Sequence, residues 1–182
     1  IEQQRLPSSG KDHAGAVILC EAVASPGLIH SFGEEIEDAL ACAAATRLAA
    51  HSRGRYEAAR AGRLMFGLCI THTSDLMDIL SLAKELTAVL CEPLIWNGQP
   101  LAVQAHAGVA LMSRDGDTAE TLYRNAELAL HSAQEQGSPG YGFFNPEIAK
   151  DMRRQAAVQS AIARAAASKS FRLDYQPIYN IR

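Results

Sequence analysis

Two apolar runs limit what this chain can fold into. Ala16 to Val23 and Leu101 to Leu111 are dense in Ala, Val, Ile and Leu, and the second reads as a strand buried on both faces. Strands of that kind sit at the centre of a sheet that helices cover. The helical patterns are present as well. From Glu34 to His51, apolar and small residues recur at helical spacing behind an acidic first turn of Glu34, Glu35, Glu37 and Asp38, as the helix dipole favours. Leu76, Ile79, Leu80, Ala83, Leu86, Val89 and Leu90 form a second apolar stripe, with Ser74 as the expected N-cap and Pro93 beyond its end. Thr118 to Gln136 is a third helix, stopped by Gly137.

The remaining strands are shorter. Tyr56 to Arg60 and Leu64 to His72 read as a hairpin around Gly62, and Leu94 to Trp96, turning at Asn97-Gly98, is expected to pair with the run from Leu101 to Leu111. Asp115-Gly116-Asp117 closes that run, and Tyr141 to Phe144 is a small edge strand. Pro146 to Ser168, rich in Ala, Arg and Gln, is a helix outside the core, and Phe171 to Tyr175 begins a new strand.

Composition excludes several classes of function. With 182 residues, 48% of them hydrophobic, the chain suits one α/β domain with an appendage rather than a disordered segment. A net charge of -3 and a pI near 6.1, with no Lys/Arg cluster on one face, argue against a nucleic-acid partner. No apolar stretch approaches the roughly 20 residues of a spanning helix, so no membrane contact is expected from this segment. A membrane anchor elsewhere in a parent protein stays open. Cys20, Cys42, Cys69 and Cys91 show no metal-ligand spacing and are expected to be buried free thiols, as suits a reducing cytoplasm. His13, His30, His51, His72, His106 and His131 lie on separate elements. No metal or other cofactor is expected, and there is no nucleophile elbow, Walker loop or GxGxxG loop.

The order strand, helix, hairpin, helix, hairpin, helix, with a turn at Gly62, resembles the palm of the bacterial diguanylate cyclase (GGDEF) domain. Particular residues carry the resemblance. Arg60-Ala61-Gly62-Arg63-Leu64-Met65-Phe66-Gly67-Leu68 resembles the family's Arg-Leu-Gly-Gly-Asp-Glu-Phe-Ala-Val, and Glu21 and Asp38 fall at the places of its metal-binding and guanine-contacting aspartates. Ala107-Gly108-Val109-Ala110 and Leu122 to Leu130 resemble two downstream segments of the same family. Phe143-Phe144-Asn145-Pro146-Glu147 resembles the domain's exit, and Phe171 to Ile178 resembles the opening strand of an EAL phosphodiesterase domain. The family's opening motif, Asp-x-Leu-Thr-Gly-Leu-x-Asn-Arg, is absent. The implied fold is α/β (α+β): a mixed, mostly antiparallel palm-like sheet flanked by helices, followed by a connector helix.

The resemblance also implies what the site lacks. Joining two GTP molecules needs carboxylates that hold divalent metal against the polyphosphate. In the turn Gly62, Arg63, Leu64, Met65, Phe66, the family's metal-binding Asp and Glu correspond to Leu64 and Met65, and its second glycine to Arg63. The guanine-reading Asn corresponds to Ile29, the triphosphate-binding Lys to Gln134 and a nearby Arg to Ser138. The family's inhibitory Arg-x-x-Asp corresponds to Arg53 to Tyr56 and keeps only the arginine. Simpler roles stand beside these: Glu21 as a strand-end surface residue, Asp38 as a first-turn helix charge, and Arg53 and Arg55 as solvated loop charges.

The expected organisation is a linker over 1–14, a degenerate GGDEF domain over 15–145, a connector helix over 146–170 and the start of an EAL domain over 171–182. The expected function is that of a non-catalytic regulatory or interaction module of a GGDEF–EAL tandem protein in cyclic di-GMP signalling. Its expected partners are the attached EAL domain and other proteins or a second copy, with GTP binding disfavoured. Two alternatives remain: a GTP-binding domain that activates the attached phosphodiesterase, and one part of an active phosphodiesterase whose catalytic half lies outside this chain.

Overall fold

The computed structural model describes residues 15–24, 34–71, 73, 75–137 and 139–168. Five strands form the main sheet in the order β2-β3-β1-β6-β7. They are β1 (Ala16–Ala24), β2 (Glu57–Arg60), β3 (Met65–Ile70), β6 (Val103–Leu111) and β7 (Gly140–Phe143). All neighbours are antiparallel except β6 and β7, which run parallel across the helical crossover between them. A separate two-stranded ribbon pairs β4 (Leu94–Trp96) with β5 (Gln99–Leu101). The helices are α1 (Glu34–Ser52), α2 (Leu76–Leu90), α3 (Ala119–Glu135) and α4 (Pro146–Ala167). This is the mixed, mostly antiparallel palm with flanking helices that the sequence implies.

The centre of the sheet follows from the two apolar runs. β1 lies between β3 and β6, and its residues alternate between two covered faces. Ile18, Cys20 and Ala22 join Leu40 and Leu48 of α1 and Ile79 and Leu86 of α2 in one core cluster. Leu19 and Glu21 face the opposite way, toward α3, because Leu19 pairs with Gly108 and α3 crosses the sheet at Gly108. A Cβ on Gly108 would overlap the Ala126 carbonyl oxygen and the Leu130 amide nitrogen, so α3 sits against bare backbone.

Three sequence expectations change. The run from Leu101 to Leu111 is two strands rather than one: only Gln99–Leu101 pairs back on β4, and Val103–Leu111 pairs with β1 and β7. The Asn97-Gly98 turn, with φ of 50° and 78°, joins the two strands of this short ribbon, and the chain leaves it at Ala102. The α2 cap is Asp75, whose Oδ1 accepts from the Met77 amide at 2.8 Å; Ser74 lies outside the described residues. The thiols are not uniformly buried. Cys20 is enclosed, and burial pushes its pKa up to about 12, whereas Cys69 and Cys91 are half-buried and Cys42 is exposed. Helical geometry explains Cys42, because the buried face of α1 is Leu40, Ala41 and Ala44.

The chain divides into two compact units, Ile1–Ile148 and Ala149–Arg182. Described side chains of α4 between 157 and 164 are exposed, including Val158 and Ile162. No helix among the described residues is long and apolar enough to cross a membrane. Residues 1–14 and 171–182, where a linker and an EAL start are expected, lie outside the described residues.

Candidate functional site

The register of three strands builds the site. Glu21 of β1 is directly opposite Met65 of β3 on one side and His106 of β6 on the other. Cross-strand partners in an antiparallel pair share a face, so Met65, Glu21 and His106 form a row on the α3 side of the sheet. β1 continues for three residues beyond Glu21, which is therefore a half-buried mid-strand residue rather than a strand-end one. The Gln134 amide, near the C-terminal end of α3, donates to Glu21 Oε2. The sequence resemblance assigns Glu21, Met65 and Gln134 to one site from widely separated positions, and the fold brings them together.

The turn closes on itself. Ala61 and Gly62 both donate their amides to the Met65 carbonyl, at 2.9 and 3.0 Å, and the Ala22 amide donates to the Leu64 carbonyl at 3.1 Å. Arg60 spans the turn from below: its Nε reaches the Gly62 carbonyl at 3.0 Å and its NH2 the Arg63 carbonyl at 2.7 Å. Leu64 enters the core and Phe66 is buried on the α1 side, while Met65 is half-buried beside Glu21. Arg63 turns away to α1, with Nε 2.6 Å from Glu37 Oε2 and NH2 3.2 Å from Glu34 Oε1.

Hard divalent cations take oxygen ligands, and a metal pair needs several carboxylates. The row offers one carboxylate, already holding an amide hydrogen bond, next to a thioether and an imidazole. That donor set does not fit a magnesium pair. Among the described residues no three His, Cys, Asp or Glu side chains converge to hold any metal ion.

Other predicted positions fall elsewhere. Asp38 is exposed on α1 and borders a cavity of about 450 Å³ between α1 and β2, lined largely by Ala41, Ala45, Ala58 and Ala59. Ile29 and Ser138 lie outside the described residues. Arg53 is exposed, with φ 43° in the turn that ends α1. Tyr56 is a core residue: its hydroxyl donates to the Leu48 carbonyl at 2.6 Å, and burial pushes its pKa up to about 12. A depression of about 360 Å³ lies next to Arg55, whose guanidinium is held by Glu85 at 3.0 Å and by the His51 carbonyl at 3.1 Å. Hydrogen bonds from Arg55, Ser81 and His51 keep the Glu85 carboxyl below the usual carboxylate range.

Sequence reasoning misses His106. It is 5% exposed, and neither ring nitrogen has a hydrogen-bond partner. Its place in a strand shows that it is in the sheet, but only the register puts it beside Glu21.

A palm-like sheet with this turn between its second and third strands defines the nucleotidyl-cyclase class of fold. The chain matches the family described as diguanylate cyclase, GGDEF domain, over residues 1–139, and it belongs to that family. The bifunctional diguanylate cyclase/cyclic di-GMP phosphodiesterase MucR of Pseudomonas aeruginosa is 27% identical over 177 residues, covering 97% of this chain and 26% of that protein. An uncharacterised signalling protein of Caulobacter vibrioides is 35% identical over 97 residues, 53% of this chain and 12% of that protein. The chain thus spans about a quarter or less of these curated relatives. Among solved structures, an EAL/GGDEF domain protein from M. capsulatus is similar with a TM-score of 0.66 and 25% identity, over 74% of this chain and 86% of that one. The GGDEF domain of TpbB (YfiN) from Pseudomonas aeruginosa shares the fold with a TM-score of 0.72 at 19% identity, over 78% and 83% of the two chains.

Proposed function

We propose that this GGDEF domain is a non-catalytic regulatory and interaction module of a cyclic di-GMP signalling protein with GGDEF–EAL tandem architecture. The row Met65, Glu21, His106 carries the reading, because one carboxylate bonded to Gln134 replaces the oxygen-rich set that GTP condensation needs. Arg63 adds to it: a side chain stands where the family's turn has a glycine, and its charge is spent on Glu37 and Glu34. Likeness to MucR along 97% of the chain supports the tandem arrangement, with an EAL domain beginning near Phe171. In this reading 1–14 is a linker, 15–145 the degenerate domain and 146–170 the connector. Helix α4 then transmits displacement to the attached EAL domain, as a rigid helix does. Other protein partners or self-association use the surface the fold retains, nucleic acid is not a partner, and the working compartment is the cytoplasm. Purified chain incubated with GTP and Mg²⁺ or Mn²⁺ is expected to make no cyclic di-GMP; sustained turnover overturns the proposal.

A second reading rests on the cavity beside Asp38: GTP binds without being cyclised and activates the neighbouring phosphodiesterase. Against it, Gln134 and Arg63 are both engaged within the chain. Calorimetric titration separates the two, because heat of binding at millimolar GTP selects the second reading and its absence the first. Phosphodiesterase activity of a longer parent protein is a property of the EAL half, which these residues do not form.

A further inference from the structure

We infer that Arg63 is an ionic clasp that fixes the tip of the β2–β3 hairpin to the first turn of α1 and makes the groove between them sensitive to salt. Three observations carry it. The turn is stiff, because Arg60 holds the Gly62 and Arg63 carbonyls while Ala61 and Gly62 share the Met65 carbonyl. The Arg63 side chain therefore projects from a fixed base. At its far end, the two partners are unequal. Glu34 is 87% exposed, and an ion pair so solvated contributes little. Glu37 is only 13% exposed, and its Oε2 is buried with no aligned hydrogen bond, so the guanidinium 2.6 Å away is what compensates its burial.

The third observation is the open groove beside the clasp. The groove of about 450 Å³ between α1 and β2 is open to solvent and lined by five alanines together with the buried Leu48 and Phe66. Because β2 is exposed along its length, apolar contact holds the hairpin against the helix only through Leu64 and Phe66, and the ion pair ties the two elements at one end. Weakening the pair releases the hairpin tip and the start of α1 together, leaving the β1–β6 centre of the sheet intact. The clasp is a property of this chain's own arginine and is independent of whether nucleotide binds.

Hydrogen exchange of the whole chain, without nucleotide, tests it. Replacing Arg63 by Ala is expected to speed exchange about tenfold at the Ala61 and Gly62 amides and over Asp38 to Cys42, whose amides bond to the first-turn carbonyls of α1. The amides of β1 and β6 are expected to keep the parent's rates. Arg63→Lys restores part of the protection, since a charge remains without the planar fork. Glu37→Gln reproduces the Arg63→Ala pattern from the other side. In the parent, roughly 0.5 M salt shifts the same two segments in the same direction. Unchanged exchange in both segments of Arg63→Ala and Glu37→Gln overturns the clasp. So does a uniform rise that includes β1 and β6, which marks Arg63 as a contributor to global stability only.

Discussion

Replacing Gly108 by alanine tests whether α3 is positioned by bare backbone on β6. The added methyl would overlap the Ala126 carbonyl oxygen and the Leu130 amide nitrogen and lie 2.7 Å from Leu130 Cα. All three atoms are main chain, so no rotamer change relieves the clash. Ordinary contact between such atoms begins near 3.4 Å, so α3 must retreat by about 1 Å, enough to forfeit a quarter to a half of the dispersion energy across the gap. Leu122, Ala126, Ala129, Leu130 and Ala133 are the apolar side chains that α3 buries. Overpacking plus their loosened contacts puts the cost at about 3 to 5 kcal/mol, a large part of the roughly 5 to 15 kcal/mol typical of a domain. In urea unfolding, with a slope of about 2 kcal/mol/M, the midpoint falls by about 2 M. Gly142→Ala is the internal comparison, since its methyl would be 3.0 Å from the Ala129 carbonyl oxygen and require a smaller shift. The same retreat carries Gln134 away from Glu21. A Gly108→Ala variant within about 1 kcal/mol of the parent, or less affected than Gly142→Ala, refutes the packing argument.

Two further outcomes follow from the polar groups. Glu85, held below the usual carboxylate range chiefly by the Arg55 hydrogen bond, contributes stability above its unfolded pKa near 4.5 that is lost as pH falls through the lower folded value. Its side chain is 42% exposed, so the contribution is at most about 0.5 kcal/mol; Glu85→Gln should flatten the acid limb of the stability profile by that amount, and an unchanged limb counts against the interaction. Replacing His106 by Leu removes two buried, unpartnered ring nitrogens and is expected to raise stability by about 1 kcal/mol, read as a higher melting temperature. A loss of similar size would show instead that the imidazole has a working partner.

Local physics makes much of this protein legible in its sequence alone. Apolar density marks β1 and the Val103–Leu111 strand as central, helical spacing places α1, α2 and α3, and Asn97-Gly98 marks its own turn, because each signal lies within a few adjacent residues. The chemistry of Leu64 and Met65 is equally a property of the chain, since neither side chain can ligate a hard cation in any fold. Tertiary structure decides the rest. Whether Val103–Leu111 pairs with β4 or with β1 depends on partners far away in sequence, and strand propensity is the same in either case. Burial of Cys20 and exposure of Cys42 depend on which side of each element meets the core. The register alone sets His106 beside Glu21. Arg63 reads in the sequence as a residue standing where the resembled turn has its second glycine, and the fold makes it also the partner of Glu37. That pairing joins a hairpin tip to a helix start 26 residues earlier, a distance local pattern does not span.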